Sequence, residues 1–176
     1  MQATVILHPG RDAALRRHHP WIFSGAVAEV KGSPASGDVV TVRSAQGEFL
    51  CYGDYSPTSQ IRVRALSFHE DAPADSALIC ALLDEAAALR APLIAAGNQG
   101  VRLVNAEGDG LPGLVVDRYG EQMVMSLSTA GMDNRRDELS AHLKRCYPEC
   151  GLYERSDQSA RAREGLKERS GTLWGP

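Results

Sequence analysis

The spacing of apolar residues changes character around Glu70. Before it, apolar positions fall in short β-branched runs or alternate with polar ones, the period-two pattern of half-buried strands. Residues 4–8, 38–43 and 48–52 are predicted strands, the last two forming a hairpin across Ala45-Gln46-Gly47. Residues 60–66 alternate, with Arg62 and Arg64 on one face and Ile61, Val63 and Ala65 on the other. Residues 10–18 have the Ala- and Arg-rich composition of one or two helical turns. Residues 70–75, acidic and carrying Pro73, are predicted as a boundary. After it Leu78, Leu82, Glu85 or Ala86, and Leu89 recur at helical spacing. They predict a helix capped by Ser76 and running to about Ala91, with Pro92 ending or kinking it. Strands follow at 101–105, 113–119 and 122–128, the last two joined by a Gly120-Glu121 turn. A helix at 133–146 turns Leu139 and Leu143 inward and stops at Pro148. Residues 151–155 form a short strand, 161–169 a charged surface helix, and 171–176 a loop. The fold class is α+β in two modules, a mostly β unit at 1–70 and an α/β unit at 71–170, with no internal repeat.

Composition fits that division. A chain of 176 residues, 43 % hydrophobic and 23 % charged, suits one medium domain or two small ones and argues against wholesale disorder. No run approaches the roughly 20 apolar residues of a membrane span. The first eight residues turn polar too soon for a signal peptide, so the expectation is a cytoplasmic protein with no membrane partner. Cys51, Cys80, Cys146 and Cys150 form no Cys-x-x-Cys pair and no zinc-type spacing with histidine, and they are read as free thiols. The net charge of −3 is unevenly spread. Residues 1–69 carry seven Lys/Arg against five Asp/Glu and four of the five histidines, whereas 70–150 carry seven against thirteen. The first third alone has a basic bias beyond a single charge. It is compatible with a shape-guided RNA contact and not with a strong electrostatic grip.

One motif invites a nucleotide reading that the flanking residues refuse. Gly108-Asp109-Gly110-Leu111-Pro112-Gly113 matches G-x-G-x-x-G, but such a loop must open a helix whose N-terminus faces the phosphates. Here β-branched residues follow Gly113, and too few residues separate them from the next strand for a crossover helix. The glycines are therefore read as loop residues entering a hairpin. In His18-His19-Pro20-Trp21-Ile22-Phe23-Ser24-Gly25 the adjacent histidines lack partners at ligand spacing, which argues against metal. Trp21 and Phe23 are read as core anchors in preference to base-stacking groups, and Pro20 and Gly25 as turn makers. Arg11, Arg16 and Arg17 must be exposed, because a small domain rarely buries three arginines. They are equally a phosphate-binding edge or a solvated face. Glu107, Asp109 and Asp117 are read as solvated or capping acids, and no catalytic, cofactor or metal site emerges from the residues.

Two long stretches carry a family resemblance. Residues 17–27 (Arg-His-His-Pro-Trp-Ile-Phe-Ser-Gly-Ala-Val) and 53–64 resemble the N-terminal PUA domain of the large-subunit ribosomal RNA methyltransferase I family. Residues 102–119, with 147–150 and 153–157, are similar to that family's central α/β domain. The resemblance implies a small PUA-like pseudo-barrel followed by a second α/β domain, in an enzyme that methylates carbon 5 of a cytosine in 23S ribosomal RNA with S-adenosylmethionine. In that family cofactor and catalytic residues lie in a C-terminal Rossmann-like domain. Its acidic cofactor loop, Asp-Pro-Pro motif and catalytic cysteine have no counterpart here, so 171–176 are expected to begin a linker to that domain. The chain itself is expected to hold large-subunit ribosomal RNA without catalysing. The resemblance adds weight to Arg16 and Arg17 as RNA contacts, with Arg11 and His19 beside them. Arg62 and Arg64 stand evenly between RNA contact and cross-strand pairing. The alternative is a PUA-like interaction or scaffold module that binds no RNA, and self-association is compatible with either reading.

Overall fold

The computed structural model describes residues 2–175. Met1 and Pro176, the outer ends of the expected polar start and terminal loop, lie outside the described residues. Six strands form the first sheet: β1 Thr4–Leu7, β2 Trp21–Phe23, β3 Val27–Lys31, β4 Val39–Arg43, β5 Phe49–Tyr55 and β6 Ile61–Ser67, in the order β2-β6-β5-β4-β1-β3. All pairs are antiparallel except β1 with β4. The predicted β4–β5 hairpin is present, with Thr41 opposite Tyr52 and Gly47 taking the left-handed conformation in its turn. Val5, Leu7, Ile22, Val40, Val42, Cys51 and Val63 close a core against Leu15, from the single 3₁₀ turn Leu15–Arg17.

A second sheet takes β7 Gly100–Asn105, β8 Leu114–Tyr119, β9 Gln122–Leu127, β10 Gly151–Ser156 and β11 Arg169–Trp174, in the order β11-β10-β9-β8-β7. Between β9 and the parallel β10 the chain crosses over through α2 Ala130–Asn134 and α3 Arg136–Cys146. One long helix was expected there. Thr129 caps α2 through the amide of Met132, and the helix breaks at Arg135. Helix α1, Ser76–Ala95, covers the same sheet face, capped by Asp75 and not by Ser76. Its buried stripe is Ile79, Leu83 and Ala86: Ala86 is one of the predicted positions, Ile79 and Leu83 lie one on from Leu78 and Leu82, and Leu89 is left 72 % exposed. Pro92 does not end it. A proline in the last turn forfeits one internal hydrogen bond, and the helix runs to Ala95.

The carboxyl-terminal part departs most from expectation. Only Ala160–Arg163 (α4) is helical, and Arg169–Trp174 is an edge strand paired with β10 where a loop was expected. Arg161, expected on the surface, is 2 % exposed. It donates to the carbonyls of Leu127 and Lys167 and to Asp133 at 2.9 Å. Asp133 also accepts from Arg169 at 2.6 Å; Arg169 donates to Glu154 at 2.9 Å, and Glu154 accepts from Arg136 at 2.7 Å and Ser156 at 2.8 Å. Glu154 is fully buried. Burial pushes its carboxyl up, but the bonds from Arg136, Arg169 and Ser156 outweigh that and hold it below the usual glutamate range.

The two sheets meet through an apolar contact, Leu66 of β6 with Val39 and Tyr52 against the second core, and through polar contacts. Arg135 grips Asp54 of β5 with two hydrogen bonds of 2.9 Å, and both side chains are largely buried. Gly131 packs against that carboxylate so closely that a Cβ would fall inside it. Asn134 donates to the Ser36 carbonyl at 3.1 Å, and Thr58 to that of Arg163 at 3.1 Å. Burial pushes Asp54 up to about 6, although the charge and hydrogen bonds of Arg135 pull the other way.

Two outcomes follow. Replacing Asp133 by Ala leaves Arg161 and Arg169 facing each other without their shared acid, and should cost about 3–5 kcal/mol in urea unfolding. Asp54 binds its proton more tightly in the fold than in the unfolded chain. Its contribution to stability is therefore full below the unfolded pKa and is lost as pH rises through about 6. Relative to Asp54→Asn, the parent should lose up to about 3 kcal/mol between pH 4 and 7; a flat difference in thermal unfolding across that range would contradict the assignment.

Candidate nucleic-acid interface

The candidate RNA residues fall into two groups. Leu15, the buried member of the 3₁₀ turn, anchors that turn on the first sheet and leaves Arg16, Arg17, His18 and His19 on the outside. Arg11 and Arg17 are exposed, and among the described residues neither forms an ion pair. Arg16 is exposed but committed: it donates to Asp12 at 2.7 Å and also to Glu48. These two acids hold its pKa above the usual guanidinium value. His19 is exposed, accepts the Trp21 amide through Nδ1 at 3.2 Å, and sets its ring edge-on to Trp21 at 5.8 Å. His18 takes φ 60 and stacks on Phe68 at 4.5 Å.

Arg62 and Arg64 are structurally engaged. Arg62 donates to the carbonyls of Ser56 and Pro57 and so ties down the β5–β6 loop. Arg64 lies 2.8 Å from Glu164, a residue of the second sheet's surroundings whose side chain is 2 % exposed. Arg64 therefore bridges the two sheets.

At this site the departure from the sequence reading concerns Trp21 and Phe23. They are not core anchors: Trp21 is 36 % and Phe23 50 % exposed. The signal was present in the alternation. In a three-residue strand with Ile22 buried, both neighbours must project from the other face. Their rings meet edge to face at 6.3 Å, and Trp21 Nε1 donates to Glu107 at 2.8 Å. They form one wall of a cleft of about 810 Å³ between the sheets, whose other walls include Gln60, Arg64, Glu107, Arg163 and Glu164.

The acids of the glycine-rich loop are accounted for. Asp109 takes Arg90 at 2.7 Å and the Asn105 amide at 2.6 Å, Asp117 pairs with Arg102, and Glu107 holds Trp21. The loop enters strand β8 and the expected hairpin, with Tyr119 opposite Gln122. Gly113, at φ 91, abuts the Thr129 side chain and opens no helix. The loop runs straight into a strand and so lacks the strand-to-helix turn by which a G-x-G-x-x-G motif seats a dinucleotide.

One cluster escaped the sequence reading. Asp84 of α1 meets His142 and Cys146, four residues apart on α3. Helical spacing of the pair was the signal. Its chemistry disfavours a metal. The Arg145 guanidinium, always a donor, lies 3.1 Å from His142 Nδ1, so the ring proton sits on Nε2 and is donated to Asp84 at 2.7 Å. The nitrogen facing the carboxylate has no lone pair to give. All four cysteines are free thiols, and burial pushes Cys51 up to about 12, far from a reactive thiolate.

Known proteins place this arrangement. Residues 5–68 match the family of PUA-like domains. The chain is 44 % identical over 176 residues to the ribosomal RNA large subunit methyltransferase I of Aliivibrio fischeri strain MJ11, covering 99 % of this chain and 44 % of that protein. It is 44 % identical over 177 residues to the protein of the same name from Photobacterium profundum, covering 99 % and 45 %. The chain thus spans less than half the length of the curated relatives it matches. A solved structure described as a SAM-dependent methyltransferase from Streptococcus mutans superposes with a TM-score of 0.77 at 20 % identity, over 100 % of this chain and 44 % of that one, a likeness of fold alone. No helix among the described residues is long and apolar enough to cross a membrane. A PUA-like first unit, and 44 % identity sustained over nearly the whole chain, make it similar to part of the ribosomal RNA large subunit methyltransferase I proteins.

Proposed function

We infer that this chain is the RNA-holding portion of a cytoplasmic, S-adenosylmethionine-dependent methyltransferase that acts on carbon 5 of a cytosine in 23S ribosomal RNA. Residues 1–70 serve as the RNA-binding unit. Residues 71–170, extended by the strand to Trp174, form the second unit, and methyl transfer belongs to a part of the protein outside these residues. The relatives are named as ribosomal RNA methyltransferases, and the PUA-like match supports an RNA-facing role for the first unit. The observation that carries the reading is the uncommitted charge of Arg11 and Arg17. Both stand exposed in a chain whose other candidate arginines are spent on carboxylates or carbonyls. Free cations at a domain edge position a phosphate backbone without reading sequence. Arg16, Arg62 and Arg64 shape that edge more than they touch RNA.

Charge reversal at Arg11 and Arg17 together should weaken binding to a large-subunit ribosomal RNA fragment at least tenfold and flatten its salt dependence by about two ion contacts. Reversal of Arg62, already bound to loop carbonyls, should act through folding and not through the salt slope. Undiminished affinity in the double variant would refute this RNA edge, and no RNA affinity at low salt in the parent would favour a scaffold role. Titration calorimetry of residues 1–176 with S-adenosylmethionine should show no micromolar binding. A clear isotherm would place the cofactor site in this chain and overturn the division of labour.

A further inference from the structure

The cleft between the sheets has a distribution of groups that the positioning of phosphates by Arg11 and Arg17 does not use. Phe23 is half exposed and Trp21 a third exposed, both on an edge strand. Apolar aromatic faces held in water at the rim of a large cleft mark a binding surface more often than a packing accident. Trp21 is fixed in place by its Nε1–Glu107 hydrogen bond and by the His19 edge, so little side-chain freedom would be lost on binding. At the floor, Glu164 is 4 % exposed, and its Oε1 atom has no hydrogen-bond donor: Arg64 Nη1 stands 2.8 Å away but off the line a hydrogen bond requires. Arg163, one residue earlier, is exposed at the rim.

Arg163 is thus the exposed cation of the cleft, while Arg64 inside it is ion-paired with Glu164 beside the aromatic rings. With Arg64 paired to Glu164 and Glu107 bonded to Trp21, the interior offers no free cation to a phosphate among the described residues. It suits a nucleoside entering base first. The flat base lies on the Phe23 and Trp21 rings, and its phosphate stays at Arg163. A volume of about 810 Å³ lies within the roughly 300–1,000 Å³ of small-ligand sites. A base in a duplex cannot present its ring faces or its pairing edge, so the occupant must be unpaired.

We propose that this cleft is a stacking site for an unpaired nucleobase of single-stranded RNA. The proposal rests on the RNA-binding reading and names the class of RNA and the site that takes it. The test uses the whole chain and fluorescence anisotropy with a labelled mixed-sequence single strand, an abasic strand of the same length and charge, and a closed duplex. The parent should bind the single strand roughly five- to a hundredfold more tightly than the abasic strand. Phe23→Ala should remove most of that preference while leaving abasic binding, salt slope and melting temperature unchanged, and Phe23→Tyr should restore it. Equal binding of the two strands by the parent, or a Phe23→Ala protein that keeps the preference, overturns the stacking site. If reversal of Arg11 and Arg17 still weakens binding in that case, the RNA-holding role stands without it. A parent that binds none of the three nucleic acids removes both.

Discussion

The arrangement of the second half of the chain depends on one buried ionic ladder, Arg161–Asp133–Arg169–Glu154–Arg136. Charges withdrawn from water are costly unless every one is paired and hydrogen-bonded. Here each acid receives at least two arginine donors, and the remaining guanidinium protons of Arg161 reach backbone carbonyls. The ladder links α2, α3, α4, β10 and β11, elements that hydrophobic contact alone would let slide. It fixes the short α4 segment, and with it Arg163 and Glu164, against the first sheet.

That placement explains why the sheets enclose a cleft instead of a shared core. Each has its own apolar cluster, and among the described residues only Leu66 of β6, with Val39 and Tyr52 beside it, reaches from the first sheet into the second. What lies between them is a ring of polar ties: Asp54–Arg135, Arg64–Glu164, Asn134 to Ser36, Thr58 to Arg163 and Trp21 to Glu107. Directional ties hold two surfaces at a set distance without requiring them to interdigitate. A gap lined by aromatic rings can persist on one side, while Gly131 lets the backbones close up on the other.

Much of the fold was legible because local pattern and global packing agree. The β4–β5 and β8–β9 hairpins, the helix between β9 and β10 and the refusal of the glycine loop to open a helix all followed from spacing and turn residues. Arg161 and the strand after it were not legible. An Arg-Ala-Arg run reads as a solvated helix unless one knows that Asp133, far away in sequence, is waiting for it. Pro92 likewise weighs less in a last turn than in a helix interior. At the candidate site, exposure of Arg11 and Arg17 was readable from composition. The commitment of Arg16 to Asp12 and Glu48 and of Arg64 to Glu164 was not, since each depends on acids brought in by tertiary structure. Trp21 and Phe23 were misjudged by weighing residue type over strand alternation.

The edge strand Arg169–Trp174 has a bearing on how short this protein can be cut. It supplies Arg169 to two buried acids, and Trp174, whose indole nitrogen donates to Ser140 at 3.0 Å, shields the end of α3. A piece trimmed at residue 168 would retain every strand of the PUA-like sheet yet strand Glu154 beside a vacated guanidinium. A cut that keeps the second sheet's buried acids paired therefore falls after Trp174, and any shorter excision should include a replacement for that missing positive charge.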